Sequence, residues 1–135
     1  MNHVENFVNF IRAGFGAIGA GVGYALGGVD DFIICLVVFV VVDYISGVIL
    51  AIHKHELSSK IGYKGIARKV LIFILVGLTS LLDAKVLREG AAMRTAVIFF
   101  YIANEGLSIL ENCAELGLPI PQKLKDVLLS LQHLE

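Results

Sequence analysis

The chain has 135 residues, of which 57% are hydrophobic and 17% are charged. A small soluble domain needs more polar surface than this to cover its core, so the composition favours a protein of the lipid bilayer. The net charge is −1, and basic residues cluster in one loop rather than on a face. The chain therefore lacks the electrostatic signature of a nucleic-acid-binding protein.

The first predicted span is the uncharged, glycine-rich segment 13–29, which follows a short amphipathic start at residues 1–12. Gly19, Gly23 and Gly27 recur every four residues and therefore share one side of a helix. Small-residue stripes of this kind let membrane helices approach closely, so we assign these glycines to helix packing. The alternative is a plain spanning helix with no special role.

The second predicted span, residues 32–52, follows Asp30 and Asp31, which form a turn without lysine or arginine and suit the outer side. A span of this length extends about 30 Å at roughly 1.5 Å per residue, which is the thickness of the hydrocarbon core. Asp43 falls at its middle, and Gly47 is a further position that we assign to helix packing. No turn signal precedes Asp43, so one continuous helix is predicted.

Five of the eleven lysine and arginine residues lie in the segment 53–69, between two apolar runs. Cytoplasmic loops of membrane proteins retain such residues and translocated loops lose them, so this loop is predicted to be cytoplasmic and to set the topology. Its histidines, His53 and His55, are two residues apart and do not share a helix face, so no metal site is predicted. The topology-setting residues are Lys54, Lys60, Lys64, Arg68 and Lys69.

The third and fourth predicted spans are residues 66–82 and 95–112, separated by an outer loop at residues 83–94. The fourth carries polar side chains along one side, and a helix with such a stripe should face protein or water rather than lipid. No catalytic residue and no cofactor is predicted. Together with two residues of the second span, the polar positions form a candidate pore-lining stripe: Asp43, Ser46, Tyr101, Asn104, Glu105, Ser108, Glu111 and Asn112.

The tail at residues 121–134 combines an apolar stripe with polar sides, as an amphipathic helix does. We expect it to lie on the inner membrane surface, with pairing to a partner helix as the alternative. Together these elements predict an all-α, multi-pass transmembrane protein with four spans, a C-terminal amphipathic helix and both termini in the cytoplasm. Of the eleven lysine and arginine residues, this topology leaves three outside: Lys85, Arg88 and Arg94.

Asp43 and Glu105 are predicted to lie at one depth, roughly 16 Å below the outer boundary of the bilayer. On this prediction no lysine or arginine reaches that level. A charge at the centre of a lone helix costs about 2.5–3.5 kcal/mol, so both acids require protonation, hydrogen bonds or water. We hypothesise that oligomers turn the polar stripe toward a shared lumen, with Asp43 supporting it. The alternative is that both acids are buried and hydrogen-bonded between helices.

Two stretches are similar to the holins of phage lysis and toxin secretion in Gram-positive bacteria, the family that includes the clostridial toxin-locus holin. They read DYISGVILAIHKHELSSKIGYKGIARK at residues 43–69 and FYIANEGLSILENCAELGLPIPQKLKDVL at residues 100–128. The resemblance extends roughly from Phe32 to the C-terminus. The signature positions that it carries onto this chain are Asp43, Tyr44, Ser46, Gly47, Ser59, Gly62, Asp83, Arg94, Tyr101, Asn104, Glu105, Ser108, Glu111 and Asn112.

The resemblance implies a non-enzymatic protein of the bacterial cytoplasmic membrane that accumulates harmlessly and then assembles into lesions at a set time. The lesions would release an endolysin or a large toxin as cargo, without binding it directly. Its partners would be membrane lipid and further copies of the chain, with an inhibitor protein as another candidate. Families of this type are often drawn with three spans.

Two other functions fit a chain of this kind. A small four-helix multidrug transporter would couple proton flux to export through an intramembrane glutamate, but that acid is expected in the first span, and 13–29 has none. A non-conducting regulator that binds a holin and delays it would share the features described above. Expression alone in bacteria separates holin from regulator, because a holin depolarises and kills the cell.

Overall fold

The computed structural model describes residues 2–133, and these form helices and turns with no strand among them. The all-α class predicted from the sequence is therefore confirmed over this range. The elements in chain order are α1 (His3–Ala25), α2 (Asp31–His53), α3 (Ser59–Leu82), a π-helical stretch (Asp83–Leu87), α4 (Ala92–Glu115) and α5 (Gln122–Leu131).

Local capping determines where two of the long helices begin. The Asp30 carboxylate accepts a hydrogen bond from the backbone N–H of Ile33 at 2.9 Å, and the Ser58 hydroxyl accepts one from Ile61 at 3.2 Å. Each cap satisfies an amide that has no partner within its helix. The third helix therefore starts at Ser59 rather than at residue 66, so more of the basic loop is helical than predicted.

Helices α2, α3 and α4 form a bundle in which α4 packs against both of the others. Each helix gives a narrow aliphatic stripe to the core, while valine, isoleucine and leucine side chains also cover the outward faces. A helix that is apolar all round suits lipid rather than water. The buried core consists of Ile33, Leu36, Val40, Ile72, Val76, Ile98 and Ile102.

Three helical segments are long and apolar enough to cross a membrane: Asp31–His53, Ser59–Leu87 and Ala92–Glu115. Of the four predicted spans, the first is not among them. Its segment lies in α1, which also takes in the predicted amphipathic start and ends at Ala25. The uncharged part from residue 13 to Ala25 extends only about 20 Å, which is shorter than the hydrocarbon core.

The first helix stands apart from the bundle along most of its length. Gly23 is its one buried residue, and it packs beside Val29 of the following turn. A Cβ at Gly19 would meet no atom within 4 Å, and one at Gly23 would meet only Val29, so these two glycines of the predicted stripe make no contact with another helix of the chain. A role for that stripe between chains remains a prediction.

Gly27 belongs to the turn after α1 and not to a helix, so its assignment to a helical packing stripe is wrong. Its φ of +86° is a conformation that glycine adopts without strain. A Cβ there would collide with the hydroxyl of Ser80 and with the side chain of Arg94. The glycine therefore lets the α1–α2 turn approach the ends of α3 and α4.

The C-terminal helix α5 folds back against α4. Leu128 is buried there, because Gly106 of α4 leaves a notch for it beside Phe39. A Cβ at Gly106 would lie 2.9 Å from a methyl carbon of Leu128 and 3.0 Å from the Phe39 ring. The tail therefore packs on α4, while its placement on the membrane surface stays a prediction, and residue 134 of the predicted tail lies outside the described residues.

The Gly106 notch gives a first prediction. Gly106→Ala should loosen α5, because an added methyl in a filled contact costs about 1–3 kcal/mol. Trypsin should then cleave after Lys123 and Lys125 several-fold faster in the detergent-solubilised protein. Gly14→Ala is the matched control, since a Cβ at that helical position meets nothing within 4 Å. Equal cleavage rates in the two variants would contradict the docking of Leu128.

Candidate functional site

Three charged side chains meet between α2, α3 and α4. The Lys69 ammonium lies 2.6 Å from an oxygen of Asp43 and 2.6 Å from an oxygen of Glu105. The three side chains are 16%, 12% and 7% exposed, respectively. Each residue comes from a different helix, so the ion triad, defined as Asp43, Lys69 and Glu105, joins α2, α3 and α4.

The ion triad corrects the prediction that no cation reaches the depth of the two acids. The sequence pattern assigns Lys69 to the cytoplasmic loop, but it lies about 15 Å along α3 from Ser59. Successive helical residues are rotated by about 100°, so Lys69 turns toward the bundle while Arg68 stays exposed. The prediction that Asp43 and Glu105 share a level agrees with their contact to one ammonium group.

A smaller polar network completes the surroundings of Asp43. The Asn112 amide donates to the Ser46 hydroxyl at 2.9 Å and to the second carboxylate oxygen of Asp43 at 3.3 Å. The Ser46 hydroxyl in turn donates to the Asp43 carbonyl at 3.0 Å. Gly47 lies alongside, and a Cβ there would be 3.7 Å from the Asn112 amide nitrogen. Buried charges are tolerated when they are paired and hydrogen-bonded in this way.

The ion triad borders a cleft of about 550 Å³ between α2, α3 and α4. At the α2–α3 side, the Tyr44 ring fits against Gly62 and Gly65, which offer no side chain to exclude it. Glu111 is exposed and does not line the cleft, and Ser46 reaches it only through Asn112. The members of the predicted polar stripe that do line it are Asp43, Tyr101, Asn104, Glu105, Ser108 and Asn112.

A second polar cluster lies at the other end of the bundle and was not assigned as a site from the sequence. The Asp83 carboxylate accepts hydrogen bonds from the backbone N–H groups of Met93 at 3.1 Å and Arg94 at 2.8 Å. Asp83 thus caps α4 across the intervening loop, although it lies beyond the end of α3 in the chain. Its appearance among the family signature positions was the one signal for it.

The Arg94 side chain closes this cluster. Its guanidinium donates to the carbonyls of Leu26 at 2.7 Å and Gly28 at 2.9 Å, and to the Asp30 carboxylate at 2.7 Å. The buried arginine therefore holds the α1–α2 turn against the start of α4. The hydrogen bond from Arg94 holds the pKa of Asp30 below its ordinary value. Arg94, which the sequence predicts only as a charge on the outer side, is a structural clamp.

The basic loop divides into paired and unpaired cations. Lys54 forms an ion pair with Glu115, which links the ends of α2 and α4 and raises the pKa of Lys54 through a hydrogen bond. Lys60, Lys64 and Arg68 are exposed on α3 and have no carboxylate within 4.0 Å among residues 2–133. Over the same range no group of three histidine, cysteine or acidic residues is placed to hold a metal ion.

The comparison with known families settles the class of membrane protein. A sequence model of the bacteriophage holin family matches residues 20–133. The chain belongs to the bacteriophage holin family. The resemblance noted in the sequence is therefore confirmed, and it extends into α1. Membership points to a non-enzymatic membrane protein, which agrees with the three helices able to span a bilayer.

The chain is similar to proteins of bacteria and of a phage, and the phage relative is named a probable holin. An uncharacterized 14.9 kDa protein of Clostridium perfringens is 44% identical over 131 residues, which cover 96% of this chain and 98% of the relative. An uncharacterized protein of Listeria monocytogenes is 46% identical over 126 residues, or 93% and 87% of the two chains. A probable holin of Bacillus phage phi105 is 38% identical over 91 residues, 67% of each. No solved structure shows significant similarity to this holin-family chain.

The ion triad predicts an asymmetric response to neutralisation. Lys69→Met leaves two buried carboxylates without a cation and should destabilise the bundle by about 3–5 kcal/mol. Glu105→Gln keeps the pair between Lys69 and Asp43 and should cost distinctly less. Unfolding midpoints of the detergent-solubilised variants measure the difference, with Lys64→Met as the exposed control on the same helix. A Lys69→Met midpoint no lower than that of Glu105→Gln would contradict the ion triad.

The pair between Arg94 and Asp30 predicts a small sensitivity to acid. The pKa of Asp30 is lowered from its ordinary value of 3.8, so the stabilisation is complete above that pH and is lost as the pH falls below it. Asp30 is 45% exposed, so solvent screening should keep the contribution under about 1 kcal/mol.

Asp30→Asn tests this pair, because asparagine still caps a helix but carries no charge. The variant should unfold at a slightly lower temperature than the parent at neutral pH, and the difference should vanish in strong acid. Asp31→Asn is the control, because its carboxylate makes no ion pair among the described residues. A difference between parent and Asp30→Asn that does not change with pH would rule out the charge interaction.

Proposed function

We propose that this protein acts as a holin: it accumulates in the bacterial cytoplasmic membrane, oligomerises, and opens lesions that release a cell-wall-degrading endolysin or a large toxin. Family membership and the phage relative support the class. The single structural observation that carries the mechanism is the ion triad, because it brings polar side chains of α2, α3 and α4 to one cleft within a bundle of span-capable helices.

The proposed resting topology has three spans, with the α2–α3 loop and the C-terminus in the cytoplasm. The unpaired lysines and arginine of that loop favour the cytoplasmic side. Three spans then put α1 on the outer side, in contrast to the four-span topology expected from the sequence. The Asp83–Arg94 cluster lies at the outer end in this orientation, where it fixes the α1–α2 turn.

In the resting protomer the ion triad satisfies both embedded acids. Two carboxylates share one ammonium group, so ionised acids leave one negative charge in excess within the cleft. That excess favours contact with water over contact with lipid. Assembly is proposed to widen the cleft into a shared aqueous path lined by the polar α4 residues that already face the cleft, with Asp43 and Lys69 at its wall.

Leakage of dyes from liposomes tests this proposal. Glu105→Leu removes a carboxylate from the cleft but leaves Lys69 paired with Asp43, so the protein should still insert while leakage falls several-fold. Asp43→Leu should act in the same direction. Glu111→Leu makes the same chemical change on the same helix outside the cleft and should leak as the parent does.

The outcomes separate the candidate functions. If the Glu105→Leu protein inserts and causes as much dye leakage as the parent, the cleft does not line the lesion. Expression of the parent alone in bacteria should depolarise the membrane abruptly and release a co-expressed endolysin. Stable membrane potential at full expression would instead identify a non-conducting regulator.

A further inference from the structure

The first three turns of α3 carry a row of unpaired cations. Lys60, Lys64 and Arg68 recur every four residues, so they lie on one face of the helix. All three are exposed, and in the described part of the chain none is within 4.0 Å of a carboxylate oxygen. Lys69, the next residue, points into the ion triad instead. Three cations on one face without a counter-charge form a positively charged strip that attracts an anion from outside the protomer.

The length of the third helical segment places this row at the membrane boundary. Ser59–Leu87 contains 29 residues and therefore extends about 43 Å, whereas the hydrocarbon core is about 30 Å thick. The segment is therefore about two and a half turns longer than the hydrocarbon core is thick. Because the cations lie in its first three turns, most of this extra length is expected to lie outside the core at the start of the helix. Lys60 and Lys64 then stand among lipid headgroups, and Arg68 reaches them by extending its side chain.

The same face becomes apolar toward the middle of the bundle. Leu71 and Leu75 follow Arg68 at helical spacing, and all three residues line the cleft between α2, α3 and α4. Both leucines are exposed, at 55% and 42%. Along this face the charge therefore comes first and the hydrocarbon second, which is the order of headgroup and acyl chain in one leaflet of a bilayer.

We propose that this face binds an anionic phospholipid. The lipid ridge, defined as Lys60, Lys64, Arg68, Leu71 and Leu75, takes the phosphate between Lys64 and Arg68 and an acyl chain along the two leucines. Which leaflet supplies the lipid depends on the proposed topology of the holin. The kind of lipid depends only on the charges and leucines of the ridge.

The charges of the lipid ridge decide which lipid fits. Arginine presents a planar fork of donors that matches phosphate oxygens, and lysine adds a compact positive charge. A lipid with a net negative headgroup offsets part of the positive charge of the row, whereas a choline headgroup would bring another cation to it. Each lysine or arginine near an anionic membrane surface strengthens the binding of anionic lipid by about fivefold. Two such residues together are therefore expected to strengthen it by more than about tenfold. The leucines favour a lipid over a free phosphate ion.

Retention of lipid by the purified protein tests this proposal. The full chain is extracted in mild detergent from bilayers of equal parts phosphatidylglycerol and phosphatidylcholine, and the lipids that remain bound are quantified by mass spectrometry. Lys64→Gln/Arg68→Gln should retain at least about tenfold less phosphatidylglycerol than the parent. Lys123→Gln/Lys125→Gln removes the same charge from α5 and should retain as much as the parent.

Two further measurements test whether the bound ligand is a phospholipid held by charge. Lys64→Arg/Arg68→Lys preserves the charge and should restore retention, and helix content by circular dichroism confirms that each variant is folded. Soluble glycerol phosphate should fail to displace the bound lipid. Equal losses in the two glutamine variants, equal retention of both lipids by the parent, or displacement by glycerol phosphate would each overturn the lipid ridge.

The test is independent of lesion formation. Dye leakage from liposomes made only of phosphatidylcholine reports the holin function without the anionic lipid. A protein that leaks there but retains no phosphatidylglycerol would keep the proposed function and lose the lipid ridge. Suppose instead that the parent retains phosphatidylglycerol, that Lys64→Gln/Arg68→Gln does not, and that the parent never causes leakage. The lipid ridge would then stand and the proposed holin function would fail.

Discussion

One lysine sets the register of the whole bundle. Lys69 can reach Asp43 on α2 and Glu105 on α4 only if three helices stand at matching heights, so its two ion pairs tie their relative positions together. Partial contacts would leave a buried charge uncompensated, at a cost of several kcal/mol. Among the described residues no buried side-chain nitrogen or oxygen lacks a hydrogen-bond partner, so hydrogen bonds help the bundle to tolerate these buried groups.

The bundle has two polar levels separated by an aliphatic one. At one end Arg94 and Asp83 connect the α1–α2 turn, the end of α3 and the start of α4 through hydrogen bonds to backbone groups. At the other level the ion triad connects side chains alone. The aliphatic core between them packs without directional bonds, so the polar clusters supply the orientation that hydrophobic contact cannot.

The faces of α4 explain how the parts relate to function. Glu105 faces the cleft with the other polar residues. The adjacent Gly106 contacts Leu128 of α5 on a different side of α4. Across the cleft, Arg68 and Lys69 diverge from neighbouring positions of α3, one to the exposed ridge and one to the ion triad. The same cleft is therefore lined by charged side chains inside the bundle and by Arg68 and two leucines at its exposed edge.

The sequence by itself determined the helical class, three helices able to span a membrane, the holin family and the common level of Asp43 and Glu105 along their helices, because these follow from local apolar runs, spacing and motifs. Tertiary structure decided the partner of those acids, since a long lysine stem can turn to the surface or to the interior. It also decided that α5 docks at Gly106 and that Gly27 forms a turn. Such contacts depend on the shape of a distant surface, and no local pattern of residues encodes that shape.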